Sequence, residues 1–186
     1  NEKIEAAVAR ADHFMYQAKN NKNMVVVGPG ENGMNQNGGD VRKQKILVVD
    51  DSEMNREILI TMLEDDFDII VAENGRVCLE LLMQYGKAIS AVLLDIVMPV
   101  MDGFEVLAKL KADSSTMDIP VIVASQADDS TIIRAIRAGA TDFVTKPFTR
   151  EDAFHCVNHV LADLSSRIKK EDEEIRSRMS VIEKMA

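Results

Sequence analysis

The most constraining feature of this sequence is the stretch 91–99, in which the apolar residues 91–94 lead directly into Asp95. An unbroken apolar run of this kind predicts a strand buried on both faces, as in a parallel sheet. Asp95 then lies where the strand leaves the sheet, at the edge where open α/β sheets bind ligands. An aspartate at such a point can also cap a helix or begin a turn, so the other strand ends have to distinguish the two interpretations.

Four more short apolar segments alternate with amphipathic helical patterns. The predicted strands are 46–49, 68–72, 91–94, 120–124 and 141–144. The predicted helices are 52–63, 75–85, 102–110, 129–138 and one that begins near 149. Strands joined by helical crossovers predict an α/β fold with a parallel sheet covered on both faces. We therefore expect a doubly wound, flavodoxin-like sheet of five strands in the order 2-1-3-4-5.

Polar residues follow four of the five predicted strands. They are Asp50 and Asp51 after the first, Asp95 after the third, Ser125 after the fourth and Lys146 after the fifth. Each alone has an ordinary explanation, such as helix capping or exposure to solvent. Because the carboxyl ends of parallel strands share one edge, their joint placement predicts a functional site there.

The residue types at this edge indicate phosphoryl chemistry. Three carboxylates placed together repel one another unless a cation joins them, and hard oxygen ligands favour Mg²⁺, or Mn²⁺. A metal-bound Asp95 is then a nucleophile toward a phosphoryl group. Lys146 offers a point charge and Ser125 a hydroxyl to the other phosphoryl oxygens, which is most of what phosphoryl transfer requires. The expected product is an acyl phosphate on Asp95.

Further short motifs accompany these residues. They are Met98-Pro99, Asp102-Gly103, Phe143 and Lys146-Pro147-Phe148, together with the acidic pair Asp50-Asp51. The whole set resembles the response-regulator receiver domain of two-component systems, over about residues 44–164.

The resemblance implies a phosphorylation-controlled signalling switch, without enzymatic turnover beyond its own self-phosphorylation and self-dephosphorylation. Asp95 would accept the phosphoryl group from a phosphohistidine on a sensor histidine kinase or a phosphotransfer protein. The metal would be held by Asp51, Asp95 and the backbone carbonyl of Val97, with Asp50 acting partly through water. Lys146 would assist the transfer, Ser125 and Phe143 would relay the change to a linked output domain, and the peptide before Pro147 would be cis.

Three positions depart from the receiver pattern. Gln126 stands where the family usually has a small residue, and its longer side chain could crowd the phosphoryl pocket. Val97 and Ala127, two residues after Asp95 and Ser125, are apolar and cannot orient an attacking water. We therefore expect slow self-dephosphorylation.

Residues 1–27 combine an amphipathic helical pattern with a short strand. The matching motifs are Arg10-Ala11-Asp12, Tyr16-Gln17-Ala18-Lys19 and 23–27. They resemble the carboxyl-terminal end of a GGDEF (diguanylate cyclase-type) domain, although Asn21 replaces its usual glycine. No cyclase activity follows, because the nucleotide-binding motif would lie upstream. The alternative is an unrelated amphipathic helix.

Residues 28–43, rich in glycine and asparagine, are predicted to form a flexible linker.

The last helix is predicted to continue beyond the receiver domain. Leu161, Ile168, Ile175 and Ile182 recur every seven residues, whereas the positions three later hold Leu164, Glu171, Arg178 and Met185. This weak heptad pattern predicts that 165–186 form a coiled-coil-like linker to an output domain, or alternatively a solvated single helix. A homodimer would form through this helix or the 129–164 face. The GGDEF-like segment makes cyclic-di-GMP signalling the expected output.

Charge and composition limit the partners and the location. The net charge is −9, and residues 41–164 alone carry 12 basic and 21 acidic side chains. This balance argues against direct binding to nucleic acid or to anionic membranes. No apolar run of about 18 residues predicts a membrane span, and no signal peptide is evident. We expect a cytoplasmic domain, cut from a longer polypeptide because the first residue is Asn.

Cysteine and histidine carry little functional signal. Cys78 and Cys156 are expected to be reduced thiols near the core, with a disulfide as the alternative. His155 and His159 have the i, i+4 spacing of metal ligands, but no third ligand is evident, so they are expected at the surface.

Two other functions suit the same topology. One is an aspartate-nucleophile phosphohydrolase, which usually carries a second aspartate where Val97 stands. The other is an FMN carrier, which needs a phosphate-binding loop after the first strand, where the acidic pair Asp50-Asp51 would repel phosphate.

Overall fold

The computed structural model describes residues 43–126 and 129–185. The fold belongs to the compact unit that begins at Gln44. The GGDEF-like segment predicted over 1–27, the linker predicted over 28–43 up to residue 42, and Ala127 lie outside the described residues.

Five strands alternate with five helices, as the apolar pattern predicts. The strands are β1 Lys45–Val49, β2 Asp68–Ala72, β3 Ile89–Asp95, β4 Val121–Ser125 and β5 Asp142–Thr145. The helices are α1 Glu53–Leu63, α2 Gly75–Tyr85, α3 Gly103–Ala112, α4 Asp129–Arg137 and α5 Arg150–Met185, and a short 3₁₀ turn occupies Gly86–Ala88.

All neighbouring strands are parallel, in the order β2-β1-β3-β4-β5. The predicted doubly wound α/β fold is therefore confirmed. The register pairs Val49 with Leu94 and Asp95 with Ala124, and it pairs Ser125 with Thr145. The carboxyl ends of β1, β3, β4 and β5 consequently reach the same edge of the sheet.

Apolar side chains fill both faces of the sheet. Leu47 and Val49 point into a cluster with residues of α2, α3 and α4. Ile46 and Val48, which alternate with them along β1, join a second cluster with residues of α1 and α5. Successive side chains of a strand point to opposite faces, so a strand that is apolar throughout requires helices on both sides.

The start of α3 lies close to the carboxyl end of β3. Asp102 and Glu105 form a capping box at the start of α3, each side chain accepting from the other's backbone N–H. Gly103, which follows Asp102, packs so tightly that a Cβ there would lie 2.3 Å from the carbonyl oxygen of Asp95. A residue without a side chain is required at this contact between α3 and the end of β3.

Helix α5 is 36 residues long and extends well past the sheet, as predicted. Its last buried residue is Leu161, and every described side chain from 165 to 179 is exposed. None of the helices in the described ranges is both long enough and apolar enough to cross a bilayer.

Candidate functional site

Three carboxylates meet at the carboxyl edge of the sheet. Asp50 and Asp51 directly follow β1, and Asp95 is the last residue of the neighbouring strand β3. One carboxylate oxygen from each lies within 4.8 Å of the other two. Asp50 and Asp95 are buried and Asp51 is exposed, so the cluster opens to solvent on one side.

Lys146 lies between two of these carboxylates. Its ammonium Nζ is 2.6 Å from Oδ2 of Asp50 and 2.7 Å from Oδ2 of Asp95. The residue follows β5, where its backbone N–H donates to the carbonyl of Ser125 at 3.0 Å, and the Lys146–Pro147 peptide is cis, as the resemblance implies. One cation therefore neutralises part of the charge of two buried acids.

Asp50 accepts hydrogen bonds from donors that the sequence analysis did not identify. The Ser52 N–H reaches its Oδ1 at 2.9 Å, and the Asn55 amide donates to Oδ1 at 3.1 Å and to Oδ2 at 3.2 Å. Arg56 donates to the carbonyl oxygens of Asp50 at 2.7 Å and Asp51 at 3.1 Å. Asn55 and Arg56 lie in the first turns of α1, and only their spacing from the acidic pair could have indicated a role.

The protonation equilibria of the site reflect burial and mutual charge. Burial raises the pKa of Asp95, the hydrogen bond and charge of Lys146 lower it in part, and the Asp50 charge raises it further. For Lys146, burial lowers the pKa, but the hydrogen bonds and charges of both carboxylates outweigh burial and raise the pKa overall. Lys146 therefore stays charged, whereas Asp95 is costly to keep ionised without a further cation.

The loop after β3 approaches Asp95 through its backbone. The Val97 N–H donates to Oδ1 of Asp95 at 3.3 Å, while the Val97 side chain points into solvent. Further along, the Met101 N–H donates to the Pro99 carbonyl at 2.8 Å, which makes a γ-turn centred on Val100. Val100 has φ +72°, in the left-handed region that β-branched residues rarely adopt.

Ser125 and Phe143 occupy the two strands beyond Asp95. Ser125 is buried at the end of β4, one residue past the position paired with Asp95. Phe143 lies within β5 opposite Val123, and its partly buried ring packs against the core cluster that contains Val123. The structure thus brings Ser125 to the carboxyl edge and places Phe143 two residues deeper in the sheet.

Other candidates from the sequence lie outside this cluster. Gln126 is exposed, as are His155 and His159, which pair with Glu151 at 3.7 Å and Asp142 at 3.4 Å. Cys78 and Cys156 are both buried and neither forms a disulfide.

The donor set fits a hard divalent cation. Within the described residues no hydrogen bond or ion pair reaches the Asp51 carboxylate, whereas both oxygens of Asp50 already accept from protein donors. Carboxylate oxygens with an open, solvent-facing side are what Mg²⁺ uses, because it keeps several waters. Across the described ranges this is the one group of three or more potential metal ligands.

Comparison with known proteins agrees with this geometry. The family model of the response regulator receiver domain matches residues 46–158. The chain belongs to this family. Receiver domains are typically non-enzymatic signalling switches that interact with histidine kinases and output domains, and they bind Mg²⁺ at an acidic pocket. Membership favours the two-component switch over the phosphohydrolase and the FMN carrier.

Two curated relatives match this receiver domain along nearly their whole length, and a solved structure matches it over about half of its own. Protein PilH of Pseudomonas aeruginosa is 38% identical over 120 residues, which cover 63% of this chain and 98% of PilH. Chemotaxis protein CheY of Halobacterium salinarum is 34% identical over 119 residues, covering 63% and 97%. A solved structure described as a two-component system response regulator/GGDEF domain protein is 30% identical with a TM-score of 0.62, covering 66% of this chain and 51% of that one.

Proposed function

We propose that Asp95 is the phosphoacceptor of this receiver domain and takes its phosphoryl group from a phosphohistidine on a histidine kinase or phosphotransfer protein. The observation that carries the proposal is the convergence of Lys146 and the acidic pair on the Asp95 carboxylate. In the transfer, the phosphorus–nitrogen bond of the donor breaks and a phosphorus–oxygen bond forms at Asp95. The electron pair of the broken bond stays on the histidine nitrogen, and the histidine leaves as a neutral imidazole because its ring takes up one proton from solvent.

The chain's own residues supply positioning and charge. The Val97 N–H and the Lys146 ammonium hold opposite oxygens of Asp95, which orients the carboxylate before the donor arrives. The Lys146 ammonium then moves from the Asp95 carboxylate to one phosphoryl oxygen. The Ser125 hydroxyl donates a hydrogen bond to another phosphoryl oxygen. Preorganised donors of this kind stabilise the charge that spreads over the phosphoryl oxygens.

Asp51, Asp95 and the Val97 carbonyl would hold Mg²⁺ or Mn²⁺, with Asp50 acting partly through water. This division agrees with the protein donors that already occupy Asp50 and with the exposure of Asp51. When bound, the ion supplies positive charge next to the phosphoryl oxygens.

Ser125 and Phe143 would relay phosphorylation to the 129–164 face. A phosphoryl group on Asp95 offers Ser125 a charged acceptor, and movement of the β4 end would allow the Phe143 ring to repack. Such a change biases two pre-existing packing arrangements.

The linked output would act in cyclic-di-GMP signalling, in the cytoplasm, where thiols such as Cys78 remain reduced. The support is the similar structure that is described as a response regulator/GGDEF domain protein. Expressing the complete polypeptide and measuring cyclic di-GMP with and without a phosphodonor tests this output separately. Unchanged cyclic di-GMP would contradict it without affecting the assignment of Asp95.

The phosphoacceptor assignment is tested by incubating the protein with a small phosphodonor such as phosphoramidate and Mg²⁺, followed by intact mass measurement. We expect one added phosphoryl group in the wild type and none in Asp95→Asn. The matched control Asp118→Asn, which changes an exposed aspartate, should be labelled like the wild type. Labelling that persists in Asp95→Asn, or is absent from the wild type, would overturn the assignment.

A further inference from the structure

The part of α5 beyond the sheet is a helix without a packing partner among the described residues. It continues for nearly seven turns after Leu161, at about 3.6 residues per turn. Most helical stability in proteins comes from packing of an apolar face rather than from intrinsic propensity. A surface that covers the extension would account for its length.

The exposed apolar side chains of this extension form one narrow stripe. Ile168, Ile175 and Met179 are 51%, 55% and 56% exposed and are the large hydrophobic residues exposed on the described part of the extension. At about 100° per residue, Ile175 lies roughly 20° around the helix from Ile168, and Met179 roughly 40° from Ile175. Met179, four after Ile175, therefore extends the apolar stripe, whereas Arg178, three after it, is charged; the position four after Ile168 holds Asp172.

This seam assigns heptad positions to the charged residues beside it. With Ile168 and Ile175 at d, Asp172 and Met179 fall at a. Glu171 then falls at g and Arg176 at e, the two positions that flank a coiled-coil seam and form interhelical ion pairs.

We propose that the extension, residues 165–185, pairs in parallel and in register with the same helix of a second copy of this chain. In a parallel pair, each g residue faces the e residue five positions later in the other helix. Glu171 then faces the partner's Arg176. The two-fold symmetry makes this attractive pair occur twice.

An antiparallel pairing of the same seam is less favourable. It would place Met179 level with the partner's Ile168, which brings Glu171 near the partner's Arg178. It would also bring Lys169 beside the partner's Arg176, and this contact is repulsive and occurs twice. Because flanking charges set orientation in coiled coils, the charge pattern favours the parallel dimer.

Two features keep the dimer weak in the isolated chain. Asp172 lies at an a position and meets its own copy in the seam, and a polar residue there specifies register at a cost in stability. Arg178 also pairs with Glu174 of its own helix at 2.6 Å. That pair is exposed and contributes little, so it can exchange with an interhelical pair.

Sedimentation equilibrium of the whole chain tests the seam through Asp172. Asp172→Leu removes the two carboxylates that repel each other in the seam, so it should lower the dimer dissociation constant by about tenfold or more. The matched control Glu173→Leu makes a similar change one residue away, at an outward position, and should leave the dimer constant within about twofold. An equal effect of both variants, or a larger gain from Glu171→Leu, would overturn the proposed seam.

A charge exchange tests the pairing across the interface. Glu171→Lys and Arg176→Glu should each weaken the dimer, and the double variant should recover the wild-type constant, because the attraction is restored with reversed signs. A double variant that is weaker than either single variant would contradict the pairing.

Cysteine cross-linking tests the orientation. Met179→Cys should form a disulfide with its own copy under mild oxidation, whereas the outward control Ser177→Cys should not. The natural thiols Cys78 and Cys156 are buried and give a low background. A preferred cross-link between separately tagged Ile168→Cys and Met179→Cys chains would show antiparallel pairing and overturn the proposal.

Discussion

The ammonium of Lys146 lies 2.6 Å from Oδ2 of Asp50, although the two residues are 96 positions apart in the chain. Asp50 is only 1% exposed, so the lysine is the cationic partner of a carboxylate that water barely reaches. The same ammonium also contacts Asp95, so one side chain links the buried Asp50 to the proposed phosphoacceptor.

Replacing Lys146 by methionine should therefore destabilise the protein. Asp50 and Asp95 would be left as neighbouring buried carboxylates, and removal of one partner from a buried ion pair costs about 3 kcal/mol. Urea denaturation at neutral pH without metal measures the loss, and Mg²⁺ should restore part of it. The matched variant Lys109→Met, on an exposed site of α3, should change stability by less than about 0.5 kcal/mol. Equal losses in both variants would show that the buried pair contributes nothing.

Asn55→Ala should also lower stability, by about 1–2 kcal/mol, because Asp50 loses a donor to each carboxylate oxygen. The control Asn158→Ala removes a similar side chain from α5 and should have a smaller effect. Thermal unfolding of both variants provides the comparison. If Mg²⁺ binding, followed by calorimetry, is unchanged while stability falls, Asn55 acts on the fold alone; weaker binding would show that it positions the acidic pair.

Val97→Asn should accelerate loss of the phosphoryl group from Asp95. The Val97 side chain is exposed beside the acceptor and cannot orient water, whereas an amide at the same position can. The decay of the labelled protein, followed by intact mass after removal of the donor, gives the rate. Val97→Leu is the control for altered size and should decay like the wild type. An unchanged or slower decay in Val97→Asn would contradict the expected role of this position.

Val100→Gly should stabilise the protein by about 1 kcal/mol. Val100 is 81% exposed, and it is the one non-glycine residue with positive φ in the described part of the chain. Glycine adopts this conformation without a steric cost, and the relief of strain exceeds the entropy that glycine loses on folding. In the same loop, Val97→Gly carries only the entropic cost and should destabilise. A fall in the melting temperature of Val100→Gly would show that the γ-turn is not strained.

The Cys78 thiol should make stability depend on alkaline pH. Burial raises its pKa to about 12, so the folded protein retains a proton that the unfolded chain releases near pH 9. This contribution is complete below about pH 9 and is lost as the pH rises toward 12, at about 1.4 kcal/mol per pH unit. Cys78→Ala should be less stable at pH 7 but should show a shallower decline between pH 9 and 11. Val106→Ala, a core truncation without a titratable group, should keep the wild-type slope.

Much of the fold was predictable because apolar periodicity reports burial directly. The largely apolar strands β1, β3 and β4 are accommodated with helices on both faces, and short crossovers leave few strand orders. Asp50, Asp95 and Lys146 were identifiable as site candidates for the same reason, since strand ends meet at one edge. Asn55 and Arg56 were not identified, because their donors reach Asp50 and Asp51 only through the geometry of the first turns of α1.

The seam of the extended helix is chosen by residue type. The heptad of isoleucines was evident from the sequence, but two neighbouring rows could complete it. Every described side chain from 165 to 179 is exposed, so exposure does not separate the two rows. The row through Met179 is preferred because Glu171 and Arg178, in the other row, are charged.

By itself, the sequence determined the sheet, its strand order and the edge on which the polar residues meet, because hydrophobic period and chain connectivity are local properties of the chain. Only the tertiary structure decided that Lys146 is shared between two carboxylates and that the Asn55 amide donates to both carboxylate oxygens of Asp50. It also decided that Val100 adopts a strained, positive φ. These facts depend on side-chain distances, which for Lys146 and Asp50 join residues 96 positions apart, and on backbone angles, and the apolar pattern of the sequence encodes neither.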